Sequence, residues 1–518
     1  MADPAPNLLL IMADQMAASA LPVYGHQLVK APNIEALAAD GVVFDNAYCN
    51  FPLCAPSRFS MLSGQLPSRI GAYDNAAEFS SSIPTLAHYL RAMGYHTCLG
   101  GKMHFVGADQ LHGYEERLTT DIYPADFGWT PNWDDPAHQY SWYHNMLSVV
   151  EAGVYVRTIQ LDFDDEVAFR GVQKIYDLGR RRDGQPFFLT LSFTQPHDPY
   201  MTTQTYWDHY DHETIDLPSV GPIPLDRQDP HSRRILELCG IHQCRITQEH
   251  VRNARHAYYG MISYIDDQVG KVLAALRAAQ LADNTIIIIT ADHGDMLGER
   301  GMWYKMSFFE SSARVPFIVY APNRFKSRRI AKNISLVDLL PTLLALAAGQ
   351  QKAPEAIVPI DGHSLLPLLT GDESSWPDLV LGEYLAEGTT APCFMVKRGR
   401  YKYVHCVTDA PQLFDLNDDL KELNNLAGQS SYAAVERSLA ETVGRWDAEE
   451  ITTNVVQSQR RRLFTFQSLM QGQVTPWDFQ PQRDASKQYT RNHETMDDAD
   501  RRARIPYREA PTPDVSAD

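Results

Sequence analysis

The segment 52–64, PLCAPSRFSMLSG, holds the most reactive combination of side chains in the sequence. Pro56 and Ser57 predict a helix that starts beside Cys54, which would place the thiol at the helix N-terminus. That position stabilises anions and lowers the pKa of a thiol, and Arg58 adds a planar cation within one turn. The pattern predicts a nucleophile or anion site. The alternative is that Cys54 is simply a small buried apolar residue.

A second group of reactive residues combines two carboxylates with an imidazole. Asp14 follows the apolar run NLLLIM, and Asp292 and His293 follow NTIIIIT. Oxygen ligands with one imidazole suit Ca²⁺, Mg²⁺ or Mn²⁺. Either aspartate alone could instead be a helix N-cap. The string ADHGD places three ionisable groups within five residues, which favours one shared divalent metal site.

The elements that must position these residues are short apolar runs separated by helical stretches such as NIEALAAD and PTLAHYLRAMG. The runs NLLLIM, HTCLG, PFFLTLSF, NTIIIIT and VPFIVYAP predict a buried, mostly parallel sheet between helices, an α/β fold. Ligands bind such sheets at the carboxyl ends of the strands. The polar residues predicted at those ends are Asp14, Lys102, His104, His197, Asp292, His293 and Glu383. We therefore expect one convergent site.

Three regions are predicted along the chain. Residues 1–375 would form the catalytic α/β domain, and residues 376–450, with closely spaced strand-like runs and one helix, a smaller α+β subdomain. Residues 451–518 form a charged C-terminal extension. Trp477, Phe479 and Tyr489 favour docking of this extension over disorder, so it is interpreted as an arm of a homo-dimer or homo-tetramer.

Charge and composition exclude several classes of partner. The formal net charge is −18 with no basic stripe, which argues against a nucleic-acid partner. The longest apolar stretch is interrupted by Asp338 and Pro341, so no membrane span is expected. Seven cysteines and no predicted signal segment argue against a disulfide framework, and we expect a soluble cytoplasmic protein.

The string CAPSR matches the C-x-P-x-R signature of sulfatases, and GQLPSR and DHGD also fit their pattern. The chain thus resembles the sulfatase family of the alkaline phosphatase superfamily. PHDPY, HGDMLGERGMW and the tail strings PWDFQP and RNH are similar to its choline sulfatase branch. The resemblance implies an alkaline phosphatase-like fold and hydrolysis of a sulfate ester, choline sulfate above all. It also implies that a maturation enzyme converts Cys54 to formylglycine, whose hydrate is the nucleophile.

The resemblance further implies roles for individual residues. Formylglycine 54, Asp14, Asp292 and His293 would bind one metal, with Ca²⁺ expected and Mg²⁺ or Mn²⁺ as alternatives. Gln15 and His293 replace residues of the usual pattern, which leaves the ligand number open. The residues expected around the sulfate are Arg58, Lys102, His104, His197 and Lys305, with Asn75 as a hydrogen-bond donor. Either His197 or His104 would protonate the departing alkoxide.

The quaternary ammonium of choline requires aromatic faces and a carboxylate. The stretch around Trp129, Trp142 and His144 is dense in aromatic residues. The resemblance implies a cage of Trp129 and Trp142, with Glu383 as counter-charge and Glu387 as a less favoured substitute. Asp497 of a neighbouring subunit would close the pocket. The alternative for both tryptophans is that they pack a loop.

Three other functions stay open at this point. A phosphate mono- or diester hydrolase would share the fold, although such enzymes usually need a second metal and more ligands than the sequence offers. A non-catalytic choline-ester binding protein would not need the intact CAPSR motif. A thiol enzyme using unmodified Cys54 fits poorly with the predicted metal ligands.

Overall fold

The computed structural model describes residues 5–349, 351–470, 477–482, 484, 489 and 493–504. Its strands are β1 (Asn7–Ala13), β2 (Val42–Tyr48), β3 (His96–Gly101), β4 (Glu116–Arg117), β5 (Gly153–Val154), β6 (Phe187–Phe193), β7 (Met201–Thr202), β8 (Thr285–Ala291), β9 (Arg314–Val315), β10 (Phe317–Tyr320), β11 (Arg328–Ser335), β12 (Leu379–Tyr384), β13 (Cys393–Arg398), β14 (Tyr401–Cys406) and β15 (Gln412–Asp415).

The helices that surround these strands vary from a single turn to 31 residues. They are α1 (Pro32–Asp40), α2 (Cys54–Ser63), α3 (Leu86–Ala92), α4 (Leu147–Val150), α5 (Ile159–Arg180), α6 (Gln204–Trp207), α7 (Pro230–Leu238), α8 (Gln248–Ala278), α9 (Glu310–Ala313), α10 (Leu339–Ala348), α11 (Leu366–Thr370), α12 (Ala433–Val443), α13 (Ala448–Thr465) and α14 (Met496–Ala503).

The main sheet has nine strands in the order β11-β2-β10-β8-β1-β6-β3-β4, with β9 beside β2. Strand β1 pairs in parallel with β6 and β8, and β3 pairs in parallel with β6. Strand β10 is antiparallel to both its neighbours. Every residue of β1, β6 and β8 is buried, as expected for central strands that helices cover on both faces. The predicted α/β class and mostly parallel sheet are confirmed.

A smaller sheet follows in the chain, with the antiparallel order β12-β13-β14-β15 and helix α12 packed against it. It is joined to the main body in part through the backbone amide of Glu383, which donates to the carbonyl of Asn50. Among the described residues, no helix combines the length and apolar character that crossing a membrane requires.

The C-terminal extension docks on the body of its own chain. Helix α13 starts at its N-cap Asp447, and its Gln459 side chain accepts a hydrogen bond from the backbone amide of Trp133. Beyond α13, the ring of Trp477 packs edge-on against Phe127, with centroids 5.3 Å apart. Three positions of the tail strings PWDFQP and RNH, namely 476, 491 and 492, lie outside the described residues.

Candidate active site

The predicted metal ligands meet at the carboxyl ends of β1 and β8. These strands are adjacent and parallel, so Asp14 and Asp292, which follow them, lie at the same edge of the sheet. Helix α2 begins at Cys54, and its N-terminus faces this edge. Asp14, Cys54, Asp292 and His293 each offer one ligand atom, and these atoms lie within 4.8 Å of one another. All four residues are buried.

The donor chemistry of this cluster fits a divalent metal. His293 Nδ1 lies 3.0 Å from the carbonyl oxygen of Gly294, a contact that fixes the proton on Nδ1 and leaves the Nε2 lone pair free. Nε2 lies 3.3 Å from Cys54 Sγ and 3.7 Å from a carboxylate oxygen of Asp14. Burial and nearby cations lower the pKa of His293 to about 4, so its imidazole is neutral and able to coordinate.

The pKa values of Asp14 and Cys54 shift in opposite directions. Burial by itself would raise the pKa of the Asp14 carboxyl, but the charge of Lys102 and other nearby cations outweigh it and hold that pKa well below the usual range. For Cys54, burial and the carboxylate of Asp14 raise the thiol pKa to about 11. The expectation that the helix N-terminus lowers this pKa is therefore wrong, because desolvation and an adjacent negative charge outweigh the helix dipole.

Arg58 contacts the carboxylates of both Asp14 and Asp292. Its Nε donates to Asp292 Oδ2 at 2.8 Å, and its Nη2 lies 3.3 Å from Asp14 Oδ2. Its Nη1 donates to the carbonyl of Lys102 and to Ser192 Oγ. That Arg58 also surrounds the sulfate stays a prediction. The guanidinium is fully buried, and its hydrogen bond to Asp292 and its ion pair with Asp14 hold the two carboxylates in place.

The two predicted lysines contact different members of the site. Lys102 Nζ contacts Asp14 Oδ2 and lies 4.3 Å from the ring centroid of Tyr123. Lys305 Nζ donates to Gln15 Oε1 at 2.6 Å and to His197 Nε2 at 2.8 Å. Both ammonium groups are fully buried, so they act in a setting where water screens them little.

Gln15 replaces an acid of the usual pattern, and the structure gives it a different task. Its Nε2 donates to Asp295 Oδ2 at 2.6 Å and to Asp198 Oδ1 at 3.2 Å, while its Oε1 accepts from Lys305. Its backbone has a φ of 61°, a left-handed conformation that non-glycine residues rarely adopt. The side-chain amide is thus fully used in linking Lys305 to two buried carboxylates.

His197 and His104 differ sharply in their surroundings. His197 lines the main cavity, and its Nδ1 lies 2.6 Å from the carbonyl oxygen of Asp198. His104 lies deeper, and neither ring nitrogen has a hydrogen-bond partner among the described residues. Burial and Lys102 lower the pKa of His104 to about 3, and burial and Lys305 lower that of His197 well below its usual value.

A cavity of about 570 Å³ opens over the cluster. Cys54 lies in its wall, and the rings of Trp129 and Trp142 are nearly parallel, with centroids 6.1 Å apart. The predicted contact residues that line it are Asn75, Trp129, Trp142, His144 and His197. The side chain of Asn75 is held there by its Oδ1, which accepts from the backbone amide of Ala55 at 3.0 Å, and its Nδ2 is the group that could donate as predicted.

The residues that line this cavity include the carboxylates Asp198 and Glu387, but not Glu383. Glu383 remains inside β12, paired with Phe394, and its carboxylate accepts hydrogen bonds from Ser68 and Trp446. The loop after β12 brings Glu387 to the cavity wall, where burial raises its pKa to about 7. The prediction of Glu383 as counter-charge assumed that β12 ends before this residue, whereas the strand continues to Tyr384.

Two site residues were missed by the sequence argument. Asp198 accepts from His144 Nδ1 at 3.1 Å and from the side chain of Gln15. It thus links His144 in the cavity wall, through Gln15, to Asp292 of the predicted metal site. Burial would raise the pKa of Asp198, but His144 and His197 outweigh this effect and lower it. Tyr123 lies in the cavity wall over Lys102. The string PHDPY contained the signal for Asp198, since a carboxylate beside a site histidine often orients it.

Asp497 belongs to α14 and is strongly exposed, with its carboxylate 3.8 Å from Arg501 of the same helix. The structure describes a single chain, so the contribution of Asp497 to a neighbouring subunit stays a prediction.

Comparisons with known proteins agree with this arrangement. The Sulfatase family model matches residues 6–349, and a model described as N-sulphoglucosamine sulphohydrolase, C-terminal, matches residues 298–449. A model described as Choline sulfatase enzyme C terminal matches residues 453–505. A choline-sulfatase of Rhizobium meliloti (strain 1021) is 47% identical over 510 residues, which are 97% of this chain and 98% of that protein.

More distant proteins share the fold. An arylsulfatase of Clostridium perfringens (strain 13 / Type A) is 31% identical over 82% of this chain and 91% of its own length. The solved phosphonate monoester hydrolase of Silicibacter pomeroyi has a TM-score of 0.68 at 24% identity, covering 85% of this chain and 94% of its own. That level of identity supports the common fold alone. The Sulfatase family model matches more than half of the chain, and the choline-sulfatase relative matches it over 97% of its length. With the buried Asp14, Cys54, Asp292 and His293 at one sheet edge, these matches show that the chain belongs to the sulfatase family.

Proposed function

We propose that this sulfatase hydrolyses choline sulfate to choline and sulfate. One observation carries the proposal: a single cavity connects Cys54 with Trp129, Trp142 and Glu387. Its one end offers a nucleophile position and cations for a sulfuryl group. Its other end offers aromatic faces and a carboxylate for a quaternary ammonium.

At the sulfuryl end, the chain's own residues stabilise negative charge on the oxygens. Lys102 and Lys305 are fully buried cations near Cys54, so their charge acts at low dielectric. A bound divalent metal, held by Asp14, Asp292, His293 and the side chain at position 54, would supply Lewis-acid polarisation of a sulfuryl oxygen. The ion pairs of Arg58 with Asp14 and Asp292 would hold both carboxylates in position to bind that metal.

At the leaving oxygen, a proton donor is needed because choline is a poorly acidic alcohol. His197 is favoured over His104, since it lines the cavity while Lys305 donates to its Nε2 at 2.8 Å. Arrival of an anionic ester would stabilise the imidazolium form and raise the pKa of His197 from its lowered resting value. Nδ1 stays fixed by the carbonyl of Asp198, so Nε2 is the nitrogen that would hold and transfer the proton once Lys305 no longer donates to it.

At the choline end, Trp129 and Trp142 would contact the trimethylammonium group, and Glu387 would supply the counter-charge. Glu387 Oε2 has no hydrogen-bond partner among the described residues, so the carboxylate is free to face a cation. Trp133 Nε1 donates to the carbonyl of Ala386 at 2.9 Å and so fixes the loop that carries Glu387.

Several finer points complete the proposal. Position 54 would carry formylglycine made by a maturation enzyme, and Ca²⁺ is the metal expected from its oxygen-rich ligands. The protein would act as a homo-dimer or homo-tetramer in which Asp497 of a neighbouring subunit closes the cavity. All seven cysteines are free thiols, which supports a reducing, cytoplasmic compartment.

The test combines mass spectrometry with kinetics. The tryptic peptide of residues 31–58 contains both Cys49 and Cys54, so Cys49 serves as an internal control. Conversion should remove about 18 Da from position 54 alone. Matured enzyme should have a higher kcat/KM for choline sulfate than for an aryl sulfate or a phosphodiester. A preference for the phosphodiester would contradict the proposal and favour a phosphoester hydrolase on the same fold.

A further inference from the structure

Two cysteines that do not line the cavity of Cys54 face each other in the smaller sheet. Cys393 begins β13, Cys406 ends β14, and they are directly opposite in the antiparallel register. The proposed hydrolysis uses neither residue.

The register makes Cys393 and Cys406 the kind of cross-strand pair whose Cα separation a disulfide can span. Val407 donates to the carbonyl of Pro392, which makes 392 and 407 a hydrogen-bonded pair and the next pair, 393 and 406, a non-hydrogen-bonded one. Opposite residues at such positions have Cα atoms about 4.5 Å apart, within the range of disulfide-bonded cysteines.

The pair also borders a small cavity, and the pKa values of its two thiols shift in opposite directions. Both residues line a cavity of about 30 Å³, enough for one or two water-sized molecules. Contacts with Cys393 and Thr408 lower the pKa of the Cys406 thiol to about 7, whereas burial raises that of Cys393 well above its ordinary value. Cys406 is therefore the thiolate-forming partner, and Cys393 retains its proton.

The geometry points to a reversible disulfide between Cys393 and Cys406, formed by a small peroxide. The Cys406 thiolate attacks one peroxide oxygen and breaks the O–O bond, giving a sulfenic acid and hydroxide. The Cys393 sulfur then attacks the Cys406 sulfur and displaces its oxygen as a second hydroxide. Each of the two hydroxides takes up one of the two thiol protons and becomes water. Overall, two thiols and one hydrogen peroxide give one disulfide and two waters.

The position of the pair relates it to the cavity loop. The segment between β12 and β13 carries Glu387 and ends at Cys393, whose Sγ lies 3.8 Å from both Thr389 Oγ1 and the carbonyl of Ala391. A disulfide would replace these two contacts with a covalent link to β14. The oxidised and reduced forms thus differ at the base of this loop.

Peptide mapping of the full-length protein tests the inference. After treatment with about one equivalent of hydrogen peroxide and alkylation of free thiols, trypsin should release residues 353–397 joined to residues 403–421. The joined mass should be about 2 Da below the sum of the two unalkylated peptides, and a dithiol should separate them. Separate alkylated peptides, or a peptide 403–421 heavier by two oxygens and not joined, would overturn the inference.

Two variants make the assignment specific. Cys393→Ser should abolish the joined peptide. Cys239→Ala should retain it, since Cys239 lies at the end of α7 and is not opposite Cys406. Cys239 is a matched control because it is as buried as Cys393. Joining that persists in Cys393→Ser, to any other cysteine peptide, would show that the opposed geometry is not the cause. The wild-type measurement does not depend on how either variant folds.

Discussion

Arg462 and Asp74, 388 residues apart in the chain, form a buried bidentate ion pair. The two N–O distances are 2.6 and 2.7 Å. The pair ties helix α13 of the C-terminal extension to the residue that precedes Asn75 in the cavity wall. The extension is thus part of the structure that shapes the cavity.

Replacing Arg462 by Ala should destabilise the protein by about 3–5 kcal/mol, because it leaves the buried Asp74 carboxylate without its partner. The free energy of unfolding from denaturant titration is the measurement. Arg460→Ala is the matched control on the same helix, since its pair with Asp134 is exposed and should contribute little. Equal losses in the two variants would show that the extension is not held by the Asp74 contact.

Replacing Trp129 by Ala should raise KM for choline sulfate roughly 2- to 30-fold, the equivalent of a lost cation–π contact of about 0.5–2 kcal/mol. An uncharged alkyl sulfate of similar size should be affected much less. Steady-state kinetics on both substrates provide the comparison. If both KM values rise equally, Trp129 packs the cavity wall and does not recognise the cation.

Binding of choline sulfate should weaken as the pH falls through about 7, because Glu387 becomes protonated there and loses its charge. Between pH 8 and pH 6 the ionised fraction falls roughly tenfold for a group of that pKa, and 1/KM should follow it. Glu387→Gln should have a uniformly high KM without this dependence. Glu383→Gln, away from the cavity, should keep the wild-type profile; the reverse pattern would restore Glu383 as the counter-charge.

Replacing His197 by Ala should lower kcat for choline sulfate by about 10²- to 10⁴-fold, the usual contribution of a general acid. An aryl sulfate with an acidic phenol needs little protonation and should lose far less. His104→Ala is the parallel variant, and we expect it to affect both substrates to a similar extent. A leaving-group dependence confined to His104→Ala would reverse the assignment.

Replacing Asp292 by Asn should reduce the amount of divalent metal bound per chain, measured by elemental analysis after dialysis, without reference to activity. Asp295→Asn is the control, because this neighbouring buried carboxyl contacts Gln15 and Tyr200 and is not one of the clustered ligands. Unchanged metal content in Asp292→Asn would mean that the clustered groups do not hold the ion.

The sequence by itself determined the main sheet and the position of the reactive cluster. Fully apolar runs can be satisfied only in the centre of a covered sheet, and parallel strands must deliver the residues that follow them, such as Asp14 and Asp292, to one edge. The local motif CAPSR likewise fixed the start of α2, because its proline suits the first turn of a helix.

Only the tertiary structure decided which charged group faces which. Glu383 and Glu387 are four residues apart, and the end of β12 between them depends on pairing with β13, which local sequence does not encode. The pKa of Cys54 depends on burial and on the carboxylate of Asp14, and the contacts of Arg58 depend on carboxylates from distant segments. Long-range contacts of this kind set the electrostatics of the site, so the pattern of residues along the chain could not reveal them.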